Sequence, residues 1–129
     1  MNYLDKYNLN EEISEFTLLI NDNYSEHYAD ACDIKNYSSK FVNPTELATL
    51  SLKYFLEKFP IPEGSIHTAQ EVEIFKSINK DELLKGVITI TNYKEIKESL
   101  FIKIKTNYLS DNDIVASSEG TLIVPKKSK

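Results

Sequence analysis

The stretch NPTELATLSLKYFLEKF, residues 43–59, predicts one long helix that lies mostly inside the protein. Asn43 can cap the free amides of the first turn, and Pro44 suits the first helical position because its missing N–H would have no partner there. A polar stripe recurs at helical spacing, while apolar residues cover most of the remaining circumference. The stripe consists of Glu46, Thr49, Lys53 and Glu57. Prolines at positions 60 and 62 end the helix.

The other strong patterns have period two and predict strands. One strand precedes the helix at residues 15–20, and four follow it, at residues 67–78, 84–93, 100–108 and 114–124. Their spacing is typical of successive antiparallel hairpins. Because the helix is apolar on too many sides for a flat sheet to cover, the sheet must curve. The sequence therefore predicts an α+β fold in which a curved antiparallel sheet wraps around one central helix.

The segment between the first strand and the central helix is polar and lacks strand periodicity. Asn23 can cap a short helix at residues 24–32, and residues 33–42 then form a loop. A ten-residue loop in a compact domain favours a functional interpretation.

Length and composition indicate a single globular domain at residues 1–129, with a flexible basic tail at 125–129. The net charge is -5 and all 15 basic residues are lysine, so the guanidinium forks that bind nucleic acid in pairs are absent. No run approaches the roughly 20 apolar residues of a membrane span, and the first residues lack a signal-peptide core, so we expect a cytoplasmic protein. Cys32 is the only cysteine, which excludes an internal disulfide.

Three segments resemble the MaoC-like dehydratases and hydratases, which have the hotdog fold: FVNPT at 41–45, IHTAQEVE at 66–73 and SINKDEL at 77–83. The similarity spans residues 15–125 and is greatest to the N-terminal MaoC-type dehydratase domain. It implies a protein that acts on β-hydroxyacyl or enoyl thioesters of CoA or acyl carrier protein, without a cofactor. It also implies a homodimer, or a pair with a second hotdog chain, because hotdog sheets join edge to edge.

The resemblance implies candidate catalytic residues in the loop before the helix. Active members use an aspartate and a histidine in the motif D-x-N-P-x-H. The corresponding loop here contains Asp33 and Asn36, but Tyr37 replaces the proline, the spacing is one residue longer and Ser39 takes the place of the histidine. Asp33, Asn36 and Ser39 are thus the candidates for handling the water. The motif is degenerate, because serine does not accept a water proton near neutral pH as imidazole does.

The resemblance also implies substrate-binding residues. Backbone amides near Asn43 and Thr45, at the positive end of the helix dipole, are candidates for polarising the thioester carbonyl. His67 matches a recurring histidine of the resembled domains, for which we expect a hydrogen-bonded, structural role. His27 and His67 are distant in sequence and have no tight carboxylate spacing beside them, so we expect no metal site.

Two alternatives to a (3R)-hydroxyacyl dehydratase or enoyl hydratase stay open. The first is a non-catalytic acyl-binding subunit of a heteromeric dehydratase, which the missing histidine favours. The second is a hotdog acyl thioesterase that uses Glu46 or Asp33 as base or nucleophile. Glu46 also has a simpler interpretation, because an acid in the first turn stabilises the helix dipole.

Overall fold

A computed structural model describes residues 2–20 and 42–126 of the chain. The elements are β1 (Glu12–Leu19), α1 (Pro44–Lys58), β2 (Ile66–Ile74), β3 (Leu83–Ile96), β4 (Ser99–Ser110) and β5 (Asp113–Pro125). The predicted short helix at 24–32 lies outside the described residues, and so do nearly all of the loop at 33–42 and residues 127–129 of the predicted tail.

The five strands form one antiparallel sheet in the order β1-β3-β4-β5-β2. The prediction that the last four strands follow one another as hairpins is wrong for β2, which pairs with β5 at the far edge. The connection between β2 and β3 crosses one end of the sheet. It starts where the Phe75 amide donates to Val115 O, and it ends where the Asp81 amide donates to Ile20 O. Period-two patterns identify strands but do not identify their neighbours, so this crossover has no local signal.

Helix α1 begins and ends where the sequence predicts. The Asn43 side chain caps it, Pro44 takes the first position and Phe59 is the C-cap residue. Its buried face contacts two apolar clusters of the sheet. Phe55 packs with the first cluster, at the C-terminal half of the helix, and Leu47 and Leu50 pack with the second.

The inner face of the sheet follows the expected alternation along β4. Its buried residues are Leu100, Ile102, Ile104, Thr106 and Tyr108. The Tyr108 hydroxyl donates to Leu47 O at 2.6 Å, so the strand is bonded to the helix as well as packed against it. Within the described residues, no helix is long and apolar enough to cross a membrane.

Glu46 does not belong to the solvated stripe in which the sequence pattern puts it. It is fully buried, whereas Lys53 and Glu57 on the same side of the helix are exposed. Pro44 and Thr45 in the same turn are exposed, so only one side of the first turn is enclosed. Val42 and Ile78 meet beside it through a 2.8 Å bond from the Val42 amide to Ile78 O, and both are buried. Helical periodicity predicts the side of the helix on which a residue lies, but it does not predict how deeply each turn along the helix is buried.

Candidate functional site

The start of α1 carries a complete cap. The Asn43 side-chain oxygen accepts from the Thr45 amide at 2.9 Å and from the Thr45 hydroxyl at 2.7 Å, while the Glu46 amide donates to Asn43 O at 3.0 Å. Asn43 has extended backbone angles, as a cap residue requires. The structure thus brings Asn43 and Thr45 into contact at the start of α1. Their role toward a thioester carbonyl stays a prediction, and the carbonyl would have to share the Thr45 amide with the cap.

A bulge in β2 determines where His67 lies. His67 is opposite Leu122 on β5 and Ala69 is opposite Thr121, so Thr68 is an extra residue without a partner of its own. In a regular strand, residues three apart lie on opposite faces. With one residue inserted, His67 and Gln70 lie on the same inner face. His67 Nε2 is 2.9 Å from Gln70 Oε1, and with this oxygen as acceptor the imidazole proton is on Nε2.

Gln70 also hydrogen-bonds to a residue deeper in the protein. Its amide nitrogen donates to Ser118 Oγ at 2.5 Å, and Ser118 Oγ is 3.1 Å from Ser51 Oγ on α1. The Ser51 hydroxyl donates to Ala48 O at 2.9 Å, so the Ser118 hydroxyl supplies the proton between the two serines. We call His67, Gln70, Ser118 and Ser51 the edge network. It links the outermost strand to the middle of the central helix.

Gly120 makes the edge network possible. It lies opposite Gln70 on β5, and a Cβ atom at this position would be 2.6 Å from Gln70 Oε1 and 3.6 Å from His67 Nε2. Any other residue at 120 would therefore push the amide off the sheet. Because glycine has no side chain, Gln70 lies flat across the inner face toward the helix.

The edge network borders a narrow slot between α1 and the sheet. The slot holds about 10 Å³, roughly the room of one water molecule. Its lining residues are Ser51, Leu52, Phe55, His67, Gln70, Ile104, Thr106, Gly120 and Leu122. Since His67 is exposed, the slot reaches the surface at the edge of β2.

A larger groove of about 790 Å³ lies at the other end of α1, between residues 2–7 and the prolines after the helix. The Tyr3 hydroxyl donates to Phe59 O at 2.6 Å, and the Tyr93 hydroxyl donates to Tyr3 O at 2.8 Å. Burial raises the pKa of Tyr3 well above its ordinary range, so this phenol stays neutral and keeps donating. The charged residues that line the groove are Asp5, Lys6 and Lys58, and none of its lining residues belongs to the edge network.

The sequence found only one member of the edge network, His67. Asp33, Asn36 and Ser39 lie outside the described residues, and so does His27. Gln70, Ser118, Ser51 and Gly120 were missed. A signal for three of them exists: Ser51 interrupts the apolar face of the helix, and Ser118 and Gly120 interrupt the inner face of β5 between Ala116 and Leu122. Among the described residues, no group of His, Cys, Asp and Glu could hold a metal ion.

Solved structures with this fold include three that cover most of the chain. A MaoC-like dehydratase from Rhodospirillum rubrum has a TM-score of 0.76 and 10% identity, over 98% of this chain and 99% of that one. An (R)-hydratase from A. caviae involved in PHA biosynthesis has a TM-score of 0.72 and 12% identity, over 94% and 98%. In the HadBC (3R-hydroxyacyl-ACP dehydratase) complex from Mycobacterium tuberculosis, the matching chain has a TM-score of 0.69 and 14% identity, over 89% and 99%.

No protein-family model matches this sequence, and no curated protein matches it. The chain has the hotdog fold, as the sequence predicts, and residues 2–20 and 42–126 form a five-stranded antiparallel sheet and one central helix. The predicted resemblance to the MaoC-like dehydratases and (R)-hydratases is confirmed at the level of the fold, with sequence identities of only 10–14% in these three structures.

Proposed function

We propose that this chain is one half of a hotdog pair that handles acyl thioesters, of the (3R)-hydroxyacyl dehydratase or enoyl hydratase type. The observation that carries the proposal is the slot between α1 and the sheet, which reaches the surface at the edge strand β2. Its walls are apolar, and because it holds only about 10 Å³, an acyl chain would enter only after the side chains around it move apart. The fold is shared with dehydratases and an (R)-hydratase. The cytoplasmic location stays a prediction.

Pairing through β2 is the first part of the proposal. β2 is the last strand in the order and has β5 as its only neighbour among the described strands, so its other side offers backbone groups to a partner. Ile66, Ile74 and Phe75 at this edge are exposed apolar residues. A second hotdog chain, or a second copy of this one, would cover them and extend the sheet. The HadBC complex is an example of two such chains together.

Size-exclusion chromatography with light scattering tests the pairing. Ile66→Lys should convert a dimer to a monomer, because each chain would bring an ammonium group into the contact between the two β2 strands. Burial of these charges would destabilise the dimer. Leu19→Lys is the matched control, since Leu19 is similarly exposed on β1 at the opposite edge. If Leu19→Lys dissociates the protein and Ile66→Lys does not, the seam lies on the other edge.

Water addition is the second part. We assign the water to Asp33, Asn36 and Ser39, and the thioester carbonyl to the amides near Asn43 and Thr45. The direct test is an assay of the hydration of crotonyl-CoA and longer enoyl-CoAs, in which the loss of enoyl absorbance measures the reaction. Asp33→Asn should abolish the activity, and Ser39→His should raise it by supplying the imidazole that the motif lacks. Absence of hydration at every chain length, alone and with a co-purifying hotdog partner, would reject a catalytic role.

A non-catalytic acyl-binding subunit is the second candidate, favoured by two observations. The family resemblance puts Ser39 where active members have histidine. The one histidine in the described part of the chain, His67, is hydrogen-bonded within the edge network. Co-expression with a hotdog chain that has an intact motif tests this version. Asp33→Asn would then leave the activity of the pair unchanged, whereas Ile66→Lys would remove it by dissociating the pair.

A thioesterase that uses Glu46 is less favoured than the sequence suggests. The side chain is fully buried, so neither water nor a thioester reaches it in this structure. Glu46→Gln should leave any acyl-CoA hydrolysis unchanged. A loss of hydrolysis in a variant that still folds would restore this candidate.

A further inference from the structure

The slot beside the edge network has apolar walls but a polar closure. Its walls are the side chains of Leu52, Phe55, Ile104 and Leu122. Gln70 also lines the slot, and its side-chain oxygen contacts the exposed imidazole of His67 on the side formed by β2. A methylene chain would find favourable contacts on the walls, yet the space left beside Gln70 admits about one water molecule.

Two features hold Gln70 in the closing position. The absence of a side chain at Gly120 leaves the surface over which the carboxamide lies. The 2.5 Å bond to Ser118 Oγ fixes the amide nitrogen, and the bond between Ser118 and Ser51 anchors this contact to α1. The closure is therefore built into three elements, β2, β5 and α1.

Nothing in the closure is charged or covalently fixed. Gln70 belongs to the edge strand and is only partly buried, so its carboxamide can leave the slot by side-chain rotation. The hydrogen bonds that it would lose are neutral and can be replaced by water at the surface. The fit of a chain in the slot thus depends on the size and position of this one side chain.

We propose that Gln70 is a specificity-determining residue that restricts the acyl group in the slot to short chains. The inference rests on the proposed function, since it assigns the slot to the acyl part of a thioester. Truncation of Gln70 to alanine removes about four non-hydrogen atoms and opens room for about three methylene groups. Each methylene that enters an apolar site strengthens binding by about fourfold.

Isothermal titration calorimetry with butyryl-CoA and decanoyl-CoA tests the proposal without requiring turnover, using the full chain in its native assembly. In the wild type, lengthening the chain should bring less than about threefold gain, because the added methylenes stay outside the slot. Gln70→Ala should bind decanoyl-CoA on the order of 50-fold more tightly than butyryl-CoA. Ser118→Ala, which releases Gln70 without removing it, should give an intermediate gain. Glu71→Ala, on the exposed outer face of the same strand, is the matched control and should behave as the wild type.

The outcomes separate the inference from the proposed function. A wild type that already prefers decanoyl-CoA by 50-fold, or a folded Gln70→Ala that gains no preference, overturns the role of Gln70 and leaves the function intact. If no form binds either thioester, the proposed function fails, and titration with decanoic acid alone then decides about Gln70. If Gln70→Ala binds decanoic acid and the wild type does not, the result supports Gln70 as the closure of an apolar slot. If the two proteins bind decanoic acid equally, or neither binds it, the role of Gln70 is overturned.

Discussion

Both edges of the sheet use the same geometry but opposite chemistry. On β1, Phe16 lies opposite Gly86 of β3, and its aromatic ring passes over this glycine. Glycine is needed there, because a Cβ atom at position 86 would overlap the ring. The ring stacks on Tyr54 of α1, with centroids 4.2 Å apart and planes at 8°. At each edge, a long side chain from the outer strand crosses a glycine of its neighbour and is connected to the central helix, directly on β1 and through a serine of β5 on β2.

On β2 the crossing side chain is Gln70, the glycine is Gly120 and the connection to α1 runs through two serines. The β1 contact is held by apolar burial, which is lost as a whole when the ring leaves. The β2 contact is held by neutral hydrogen bonds, whose groups can turn to water or to a ligand one at a time. We therefore expect the β1 contact to be the harder of the two to displace and β2 to be the edge that opens more easily.

The largest effect should come from removing the aromatic closure of β1. Phe16→Ala should lower the free energy of unfolding by about 3 kcal/mol, because the ring loses its contacts with Tyr54 and leaves a cavity above Gly86. Urea denaturation followed by circular dichroism measures it. Thr17→Ala, exposed on the same strand, is the control and should cost less than about 0.5 kcal/mol. Equal costs for the two variants would mean that Phe16 does not close the β1 edge.

The two glycines allow a matched comparison. Gly86→Ala should cost about 1–3 kcal/mol, because the new methyl group forces a rigid aromatic ring away from the helix. Gly120→Ala should cost less than about 1 kcal/mol, because the atom in its way is the end of a flexible carboxamide that can turn to solvent. Both are measured by the same urea titration. A larger loss of unfolding free energy for Gly120→Ala than for Gly86→Ala would contradict the assignment of β1 as the rigid edge and β2 as the displaceable one.

Gln70→Ala should have a smaller effect on stability, of about 1 kcal/mol, since the bonds to Ser118 and His67 are exchanged for bonds to water. Hydrogen exchange of the backbone amides should locate the change: protection should fall in β2 and stay unchanged in β1. Loss of protection at both edges would show that the two closures are coupled.

The smallest effect concerns charge at the β1 edge. A hydrogen bond from Lys85 lowers the pKa of Glu15, and a second hydrogen bond that Glu15 accepts from the Glu12 side chain and the charge of Lys85 act in the same direction. The folded-state pKa is below the unfolded one, so this contribution to stability is present above the ordinary pKa of 4.5 and is lost as the pH falls through the folded-state value. Lys85→Met should raise the pKa of Glu15 in a carboxyl NMR titration and flatten the pH dependence of stability in this acidic range. An unchanged Glu15 titration would contradict the contact.

The parts of the fold that local patterns encode were predictable. The cap and first proline of α1, the prolines after it and the alternation from Leu100 to Tyr108 each depend on neighbouring residues in the chain. The position of β2 at the far edge was not predictable, because it depends on a crossover whose contacts, such as Val42 with Ile78, are distant in sequence. Burial of Glu46 was missed for a similar reason, since periodicity carries no information about the depth of each turn.

The candidate site was predictable only in part. His67 was found through a family resemblance, but its partner Gln70 was not, because strict alternation puts residues three apart on opposite faces. The bulge at Thr68 puts His67 and Gln70 on the same face instead. The threonine itself gives no sequence signal for a bulge. Gly120 and Ser118 had a weak signal as small residues in an apolar strand face. Glycine in a strand interior marks a close approach of this kind.

The extra residue at Thr68 also has a consequence for comparing this chain with its relatives. Upstream of it, the numbering of β2 is displaced by one position relative to an unbulged strand. An ungapped alignment to a protein with a regular strand would match Thr68 to the counterpart of His67, and would present the imidazole as a substitution. With a single gap opposite Thr68, the histidine falls two positions before the glutamine, and the imidazole and the carboxamide are both aligned with their structural equivalents.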